Sequence, residues 1–148
     1  QQQMVAPNAF VGVWRLRRVA LIAANGMVAL PWGSQVVGLL IYTSNSLFSM
    51  QLCPLKRPQY RDRTRAARDE ILLAFSTYVA SFGTVDFMPR QSIVIHRPVA
   101  AVCPSLTHVV QRRVFHVTQE SLVLQTLQPE DAGDGIMAVV STEWERVA

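Results

Sequence analysis

Short and long gaps alternate between the apolar, period-two segments of this chain, a pattern that fits a barrel turned tightly at one end and elaborated at the other. Eight strands are predicted, at Val11–Ala20, Val37–Thr43, Leu47–Cys53, Thr84–Met88, Ser92–Arg97, His108–Val117, Leu122–Gln125 and Met137–Val147, each rich in branched or aromatic residues. The second, fourth and sixth gaps are short polar turns at Thr43–Ser46, Pro89–Gln91 and Thr118–Glu120, whereas the first, third, fifth and seventh are long. In an up-and-down order every long connection falls on the same side, which makes a pocket with a mouth. The expected fold is all-β: an eight-stranded antiparallel up-and-down barrel.

At 148 residues, with 50% hydrophobic and 16% charged residues, the chain is expected to form one domain over residues 1–148 with a proper core. Its apolar stretches fall short of the roughly 18 residues that cross a bilayer, and Arg15, Arg17 and Arg18 interrupt the first of them. The early charges sit inside a strand pattern rather than ahead of an apolar run, so neither a secretory leader nor a membrane partner is expected, and the expected location is cytoplasmic. Cys53 and Cys103 read as reduced thiols more readily than as a disulfide in such a core.

The net charge of +4 rests on 13 Arg against one Lys, and the cations cluster once, at Lys56, Arg57, Arg61, Arg63, Arg65 and Arg68, diluted by Asp62, Asp69 and Glu70. This run is either a solvated loop with internal ion pairs or a docking patch for an acidic surface, such as a carrier protein, or for a phosphate-bearing ligand. It lacks the interleaved aromatics that nucleic acid would call for. Directly after it a helix is predicted over about residues 63–82, where Ile71, Leu72, Phe75, Tyr78, Val79 and Phe82 share one face and Gly83 supplies a stop. The helix lies at the open end, either as packing for the barrel or as a lid. The segments Gly26–Ser34, Pro98–Thr107 and Pro129–Gly135 are also assigned to the mouth, where specificity is commonly built.

Several short motifs carry a resemblance in their order along the chain: Gly12-Val13-Trp14-Arg15-Leu16, Gly38-Leu39-Leu40-Ile41-Tyr42-Thr43, Phe75-Ser76-Thr77-Tyr78, Phe82-Gly83-Thr84, Val94-Ile95-His96 and Trp144-Glu145-Arg146. Together they resemble the lipocalin-like domain family of small bacterial and fungal proteins. The resemblance implies a calycin-type antiparallel barrel with a helical insert and a pocket for a small, largely apolar molecule. It also implies an accessory role in natural-product pathways, where similar barrels act as cyclases or isomerases. The chain departs from the family pattern at the Ser44-Asn45-Ser46 turn, where relatives commonly carry an acidic, glycine-containing one. It departs again at Arg97, where a second histidine is common, so chemistry that needs paired histidines is in doubt.

Strand parity nominates the groups facing the cavity, since residues two apart share a face and large apolar residues mark the inner one. Trp14 and Leu16 place Arg18 inside; Phe115 and Val117 place Gln111 and Arg113 inside; Trp144 and Val140 place Thr142 and Arg146 inside; Leu40 brings Tyr42, and Val94 brings His96. Arg146 and Trp14 meet at the short-turn end, a guanidinium over an indole that closes the barrel floor, as the comparable pair does in lipocalins. With Trp144, these are the structural candidates. Arg113, His96 and Tyr78 are the catalytic candidates: Arg113 to stabilise a carboxylate or enolate, or else to pair with Asp86; His96 to move a proton, or else to stand as a satisfied wall histidine; and Tyr78 on the helix, or Tyr42 on the wall, to donate a hydrogen bond. Phe75 and Phe82 on the helix, together with Arg18, Leu40, Tyr42, Gln111, Phe115, Val140 and Thr142, complete the ligand-binding set.

The three histidines and two cysteines show no metal-site spacing, and there is no phosphate loop, dinucleotide fingerprint or nucleophile elbow, so no cofactor is expected. Three functions remain. A cofactor-independent cyclase or isomerase would fold a flexible apolar substrate of polyketide or terpenoid type. A non-catalytic carrier would sequester a lipophilic metabolite. A partner-binding module would use the Lys56 to Arg68 patch. An exposed sheet face or the mouth offers room for a homodimer, though no residue pattern demands one.

Overall fold

The β-strands close on themselves. In the computed structural model, which describes residues 7–131 and 135–148, the main strands are β1 (Gly12–Ala23), β3 (Val36–Tyr42), β4 (Leu47–Pro54), β5 (Val79–Met88), β6 (Ile93–Ala101), β7 (Gln111–Val117), β8 (Ser121–Thr126) and β10 (Met137–Arg146). They pair antiparallel in that order, and β1 then pairs with β10 from Trp14↔Arg146 to Ala23↔Ala138, completing an eight-stranded barrel. Two-residue strands, β2 (Val28–Ala29) and β9 (Glu130–Asp131), add to β1 and β10 at the mouth. The short turns Thr43–Ser46, Pro89–Ser92 and Thr118–Glu120 lie at one end and the long connections at the other, so the alternation of gaps is the geometry of the barrel. No helix among the described residues is long and apolar enough to cross a membrane.

The helical insert is shorter than its periodicity predicts. Helix α1 runs from Arg68 to Ser76, and residues 79–82 belong to β5. Val79-Ala80-Ser81-Phe82 satisfies a helical face and a strand alike; the ladder from Leu52↔Val79 to Leu47↔Thr84 decides for the strand. The helix ends at Thr77, whose N–H and hydroxyl both donate to the Leu73 carbonyl, at 3.1 and 2.6 Å, and whose branching, like that of Val79, makes a further turn costly. At the other end the Glu70 carboxylate accepts from the N–H groups of Ala67 and Arg61, at 3.0 and 2.8 Å, so residues 61–67 form a compact loop rather than a first helical turn.

The closed end is solid. Phe10 is fully buried, stacks on Phe87 at 4.1 Å and meets Phe115 edge-on at 4.6 Å. Trp14 donates its indole N–H to the Phe10 carbonyl at 2.9 Å, and the Arg146 guanidinium lies 4.2 Å over the Trp14 ring. Arg146 also donates to the carbonyls of Gln119 at 2.8 Å, Val11 at 2.9 Å and Ala9, so its charge is spread over a backbone cradle rather than matched by an acid. Gly12 is required here: at φ +137° a Cβ would stand 2.3 Å from the Ala148 carbonyl oxygen and 2.8 Å from an Arg146 nitrogen.

One irregularity redirects a strand. The β1–β10 register passes from Leu16↔Trp144 to Arg18↔Glu143, so β1 carries an extra residue at Arg17. Arg17 and Arg18 therefore both face outward, 3.2 Å from Glu145 and 3.9 Å from Glu143, and Val19 takes the inner position. The inward placement expected for Arg18 is corrected by that bulge.

Candidate functional site

Above the aromatic floor the barrel is hollow. A cavity of about 380 Å³ opens toward the long connections, lined by Val19 and Leu21 of β1, Met50 and Leu52 of β4, Leu124 of β8 and Val140 of β10, with Pro31, Trp32, Ser76 and Val79 at its rim. Its polar lining is small: His96, Gln111, Arg113 and Thr142, besides Ser76. The β6–β7 ladder brings three of these together, because His96 pairs with Gln111 and the next inward pair down is Val94 with Arg113. A volume near the low end of the ~300–1,000 Å³ of small-molecule pockets suits one compact, mostly apolar ligand.

His96 is buried to 2% exposure, sandwiched flat against Phe48 at 4.3 Å, with Nε2 2.6 Å from the Tyr42 hydroxyl. Burial, reinforced by the charge of Arg113, pushes the His96 pKa down to about 3. Burial also drives the Tyr42 phenol well above its ordinary range, with Arg113 pulling slightly the other way. Both groups are thus neutral near pH 7. A buried phenol proton needs an acceptor, and the one within reach is Nε2, so Tyr42 donates and the neutral imidazole carries its proton on Nδ1. His96 itself lines the cavity, and Tyr42 anchors its ring from the Nε2 side. The imidazole is therefore neutral near pH 7 and fixed in place by Tyr42.

Arg113 is the cation of the site. Burial lowers its pKa from the ordinary guanidinium value, countered by Glu130 and then Tyr42, and the group keeps its charge. Its protein partners are the Arg112 carbonyl at 3.0 Å and the Glu130 carboxylate at 4.0 Å, the outer limit of an ion pair. The partner expected for it, Asp86, lies outside the barrel and pairs with Arg97 instead. A fork of five N–H donors held this loosely keeps capacity for an anionic or carbonyl group in the cavity.

Of the residues nominated from parity, His96, Gln111, Arg113, Val140 and Thr142 line the cavity. Leu40 and Phe115 sit in the solid floor, and Tyr42 reaches the site only through His96. The Trp144 indole donates to the Thr142 hydroxyl at 2.8 Å, which fixes that cavity-lining side chain from below. Tyr78 follows the helix and donates to Gln51 on the outer face of β4, beneath the Arg57 guanidinium, so it cannot serve a ligand in the barrel. Phe75 and Phe82 are likewise exposed on the outside. The helix-face reading put all three on the wrong wall, because the apolar stripe it used spans a helix end and a strand start. Trp32, Met50, Leu52 and Leu124 were missed; parity from the buried Phe48 and Leu122 would have found the last three, whereas Trp32 sits on an irregular connection with no parity to read. The mouth segment Pro129–Gly135 is described only in part, since residues 132–134 lie outside the described residues.

The His96 environment makes stability depend on pH. Its folded pKa of about 3 lies below the ordinary 6.5, so the folded state resists a proton that the unfolded chain accepts. The stabilisation is complete above pH 6.5 and is lost as pH falls from 6.5 toward 3, by up to about 1.4 kcal/mol per pH unit. Urea midpoints taken from pH 7 to pH 4 should fall more steeply for the native protein than for His96→Phe. Parallel slopes would mean that His96 is not the group responsible.

A family model described as a lipocalin-like domain matches residues 11–147. No curated protein matches the chain.

Proposed function

Because the chain belongs to the lipocalin-like domain family, we propose that its cavity binds a small, largely apolar metabolite bearing one carboxylate, enolate or carbonyl group. The observation that carries this reading is the make-up of the site: apolar walls with one cation, Arg113, and a neutral imidazole donor, His96, on adjacent strands beside the Gln111 amide. Apolar burial supplies affinity and the two donors fix which end of the ligand goes in first. The two free thiols, Cys53 and Cys103, accord with a reducing, cytoplasmic setting.

A second reading is favoured by the same pair of donors. An enolate forming between Arg113 and His96 would be stabilised in a site screened from water, so the barrel would promote cofactor-independent cyclisation or isomerisation of a polyketide- or terpenoid-type precursor in a natural-product pathway. Held near pKa 3, His96 is too weak a base to start such a reaction, so the proton would have to leave to water or to another part of the substrate. That requirement is why binding stands first and chemistry second.

Calorimetric titration with a medium-chain fatty acid and with the alcohol of equal length tests the first reading. The acid should bind at least about tenfold more tightly. Equal affinities, or no binding of either, would overturn it. Incubation with linear polyketide and terpenoid precursors tests the second: new cyclic or isomerised products support it, and tight binding without turnover leaves a carrier.

A further inference from the structure

The apolar face of helix α1 is left exposed. Periodicity predicts that Ile71, Leu72 and Phe75 turn toward the barrel, yet no residue of α1 is buried, and these three are 52%, 68% and 49% exposed. The next connection around the rim, residues 24–35, carries no charged residue and leaves Met27, Val28 and Leu30 exposed, Met27 to 70%. The short turns at the opposite end are polar. Exposed apolar side chains recur on the other two long connections, Val102, Leu106, Val109 and Val110 on one and Leu127 and Ile136 on the other, so bare apolar surface rings the mouth, as on a face that meets a partner.

The charge on the α1 side is positive. Between residues 55 and 78 six cations stand against three acids, a net +3 out of the chain's +4. Arg57 and Arg63 line a groove beside α1, Arg68 is on its first turn, and Arg61 is held against Asp69 at 3.2 Å. Glu130 and Asp131 are on the connection between β8 and β10, diametrically across the barrel from the one between β4 and β5. Exposed large apolar side chains on a helix flanked by arginines, beside the opening of an apolar cavity, match an anionic lipid surface, whose headgroups attract the arginines while the acyl boundary accepts Leu72 and Phe75.

We propose that α1 and the neighbouring 24–35 connection dock the barrel, mouth first, onto anionic membrane surfaces, so that a lipophilic ligand passes between bilayer and cavity without crossing water. The attachment is peripheral, by side chains on one rim. It rests on exposure and charge, independently of which ligand the cavity takes.

Flotation with vesicles tests it, using phosphatidylcholine alone and phosphatidylcholine mixed with phosphatidylglycerol. The protein should float with the mixed vesicles at low salt, and added salt should release it. Both Leu72→Ser with Phe75→Ser and Arg63→Glu with Arg65→Glu should weaken the association by about tenfold or more, with unchanged melting temperature because all four side chains are exposed. Arg113→Ala should float as the native protein does, and the Leu72/Phe75 variant should still take up ligand, which separates failure here from failure of the cavity reading. Absence of flotation, or flotation unaltered in both paired variants, would overturn the proposal. So would binding to soluble polyglutamate without binding to vesicles, which would point to an acidic protein such as a carrier.

Discussion

Trp14→Ala should lower stability by about 3 to 5 kcal/mol, the usual range for deleting a large aromatic from a packed core. Trp14 is fully buried, and three things are lost with it. The Phe10 carbonyl loses its donor at 2.9 Å, the Arg146 guanidinium loses the ring 4.2 Å below it, and the floor of the barrel gains a hole that Phe10 and Phe87 cannot fill without unstacking. The cation over the indole adds about 1 kcal/mol to the loss. For a domain of this size the melting temperature should fall by roughly 6 to 20 °C. Trp14→Phe should recover most of the packing but neither the hydrogen bond nor the full attraction to Arg146. Thermal melts followed by circular dichroism decide the matter, and an alanine variant melting with the native protein would remove Trp14 from the core.

Arg113→Ala acts on the site. A hydrogen-bonded charge in a water-poor pocket contributes about 1.5 to 3 kcal/mol to an anionic partner, so affinity for a fatty acid should drop by about 10- to 100-fold while affinity for the matching alcohol hardly changes. Stability should change little, since the ties between Arg113 and the described residues are weak: a bond to the adjacent Arg112 carbonyl and a 4.0 Å approach to Glu130. The substitution carries an internal check: the Arg113 charge helps hold the His96 pKa down, so removing it should raise that pKa and shallow the acid-side loss of stability. Equal loss of acid and alcohol binding would mean that Arg113 shapes the cavity without reading the ligand's charge.

The parts of the site legible from residue order are those on regular strands. Gln111, Arg113, Val140, Thr142 and His96 were placed on the inner face by their spacing from Phe115, Trp144 and Val94, and all five line the cavity. The same rule failed for Arg18 because a single inserted residue, Arg17, reverses every side chain after it, and nothing about an Arg-Arg pair announces a bulge. It failed for Tyr78, Phe75 and Phe82 because residues 71–82 satisfy a helical period, and the choice between helix and strand over 79–82 was made by pairing with β4, a partner about thirty residues away.

What the order of residues determined is the closed sheet and its polarity: alternating apolar positions fix an inner face, and alternating gap lengths fix which end is plain and which is elaborated, both through local periodicity. What three dimensions settled is where the barrel is full and where it is hollow. Leu40 and Phe115 face inward as surely as Val140 does, yet they are consumed by the plug that Phe10 and Phe87 build, and Glu130 rather than Asp86 is the acid near Arg113. Packing and charge pairing depend on which side chains meet across the barrel, and a one-dimensional period carries no record of distance across it.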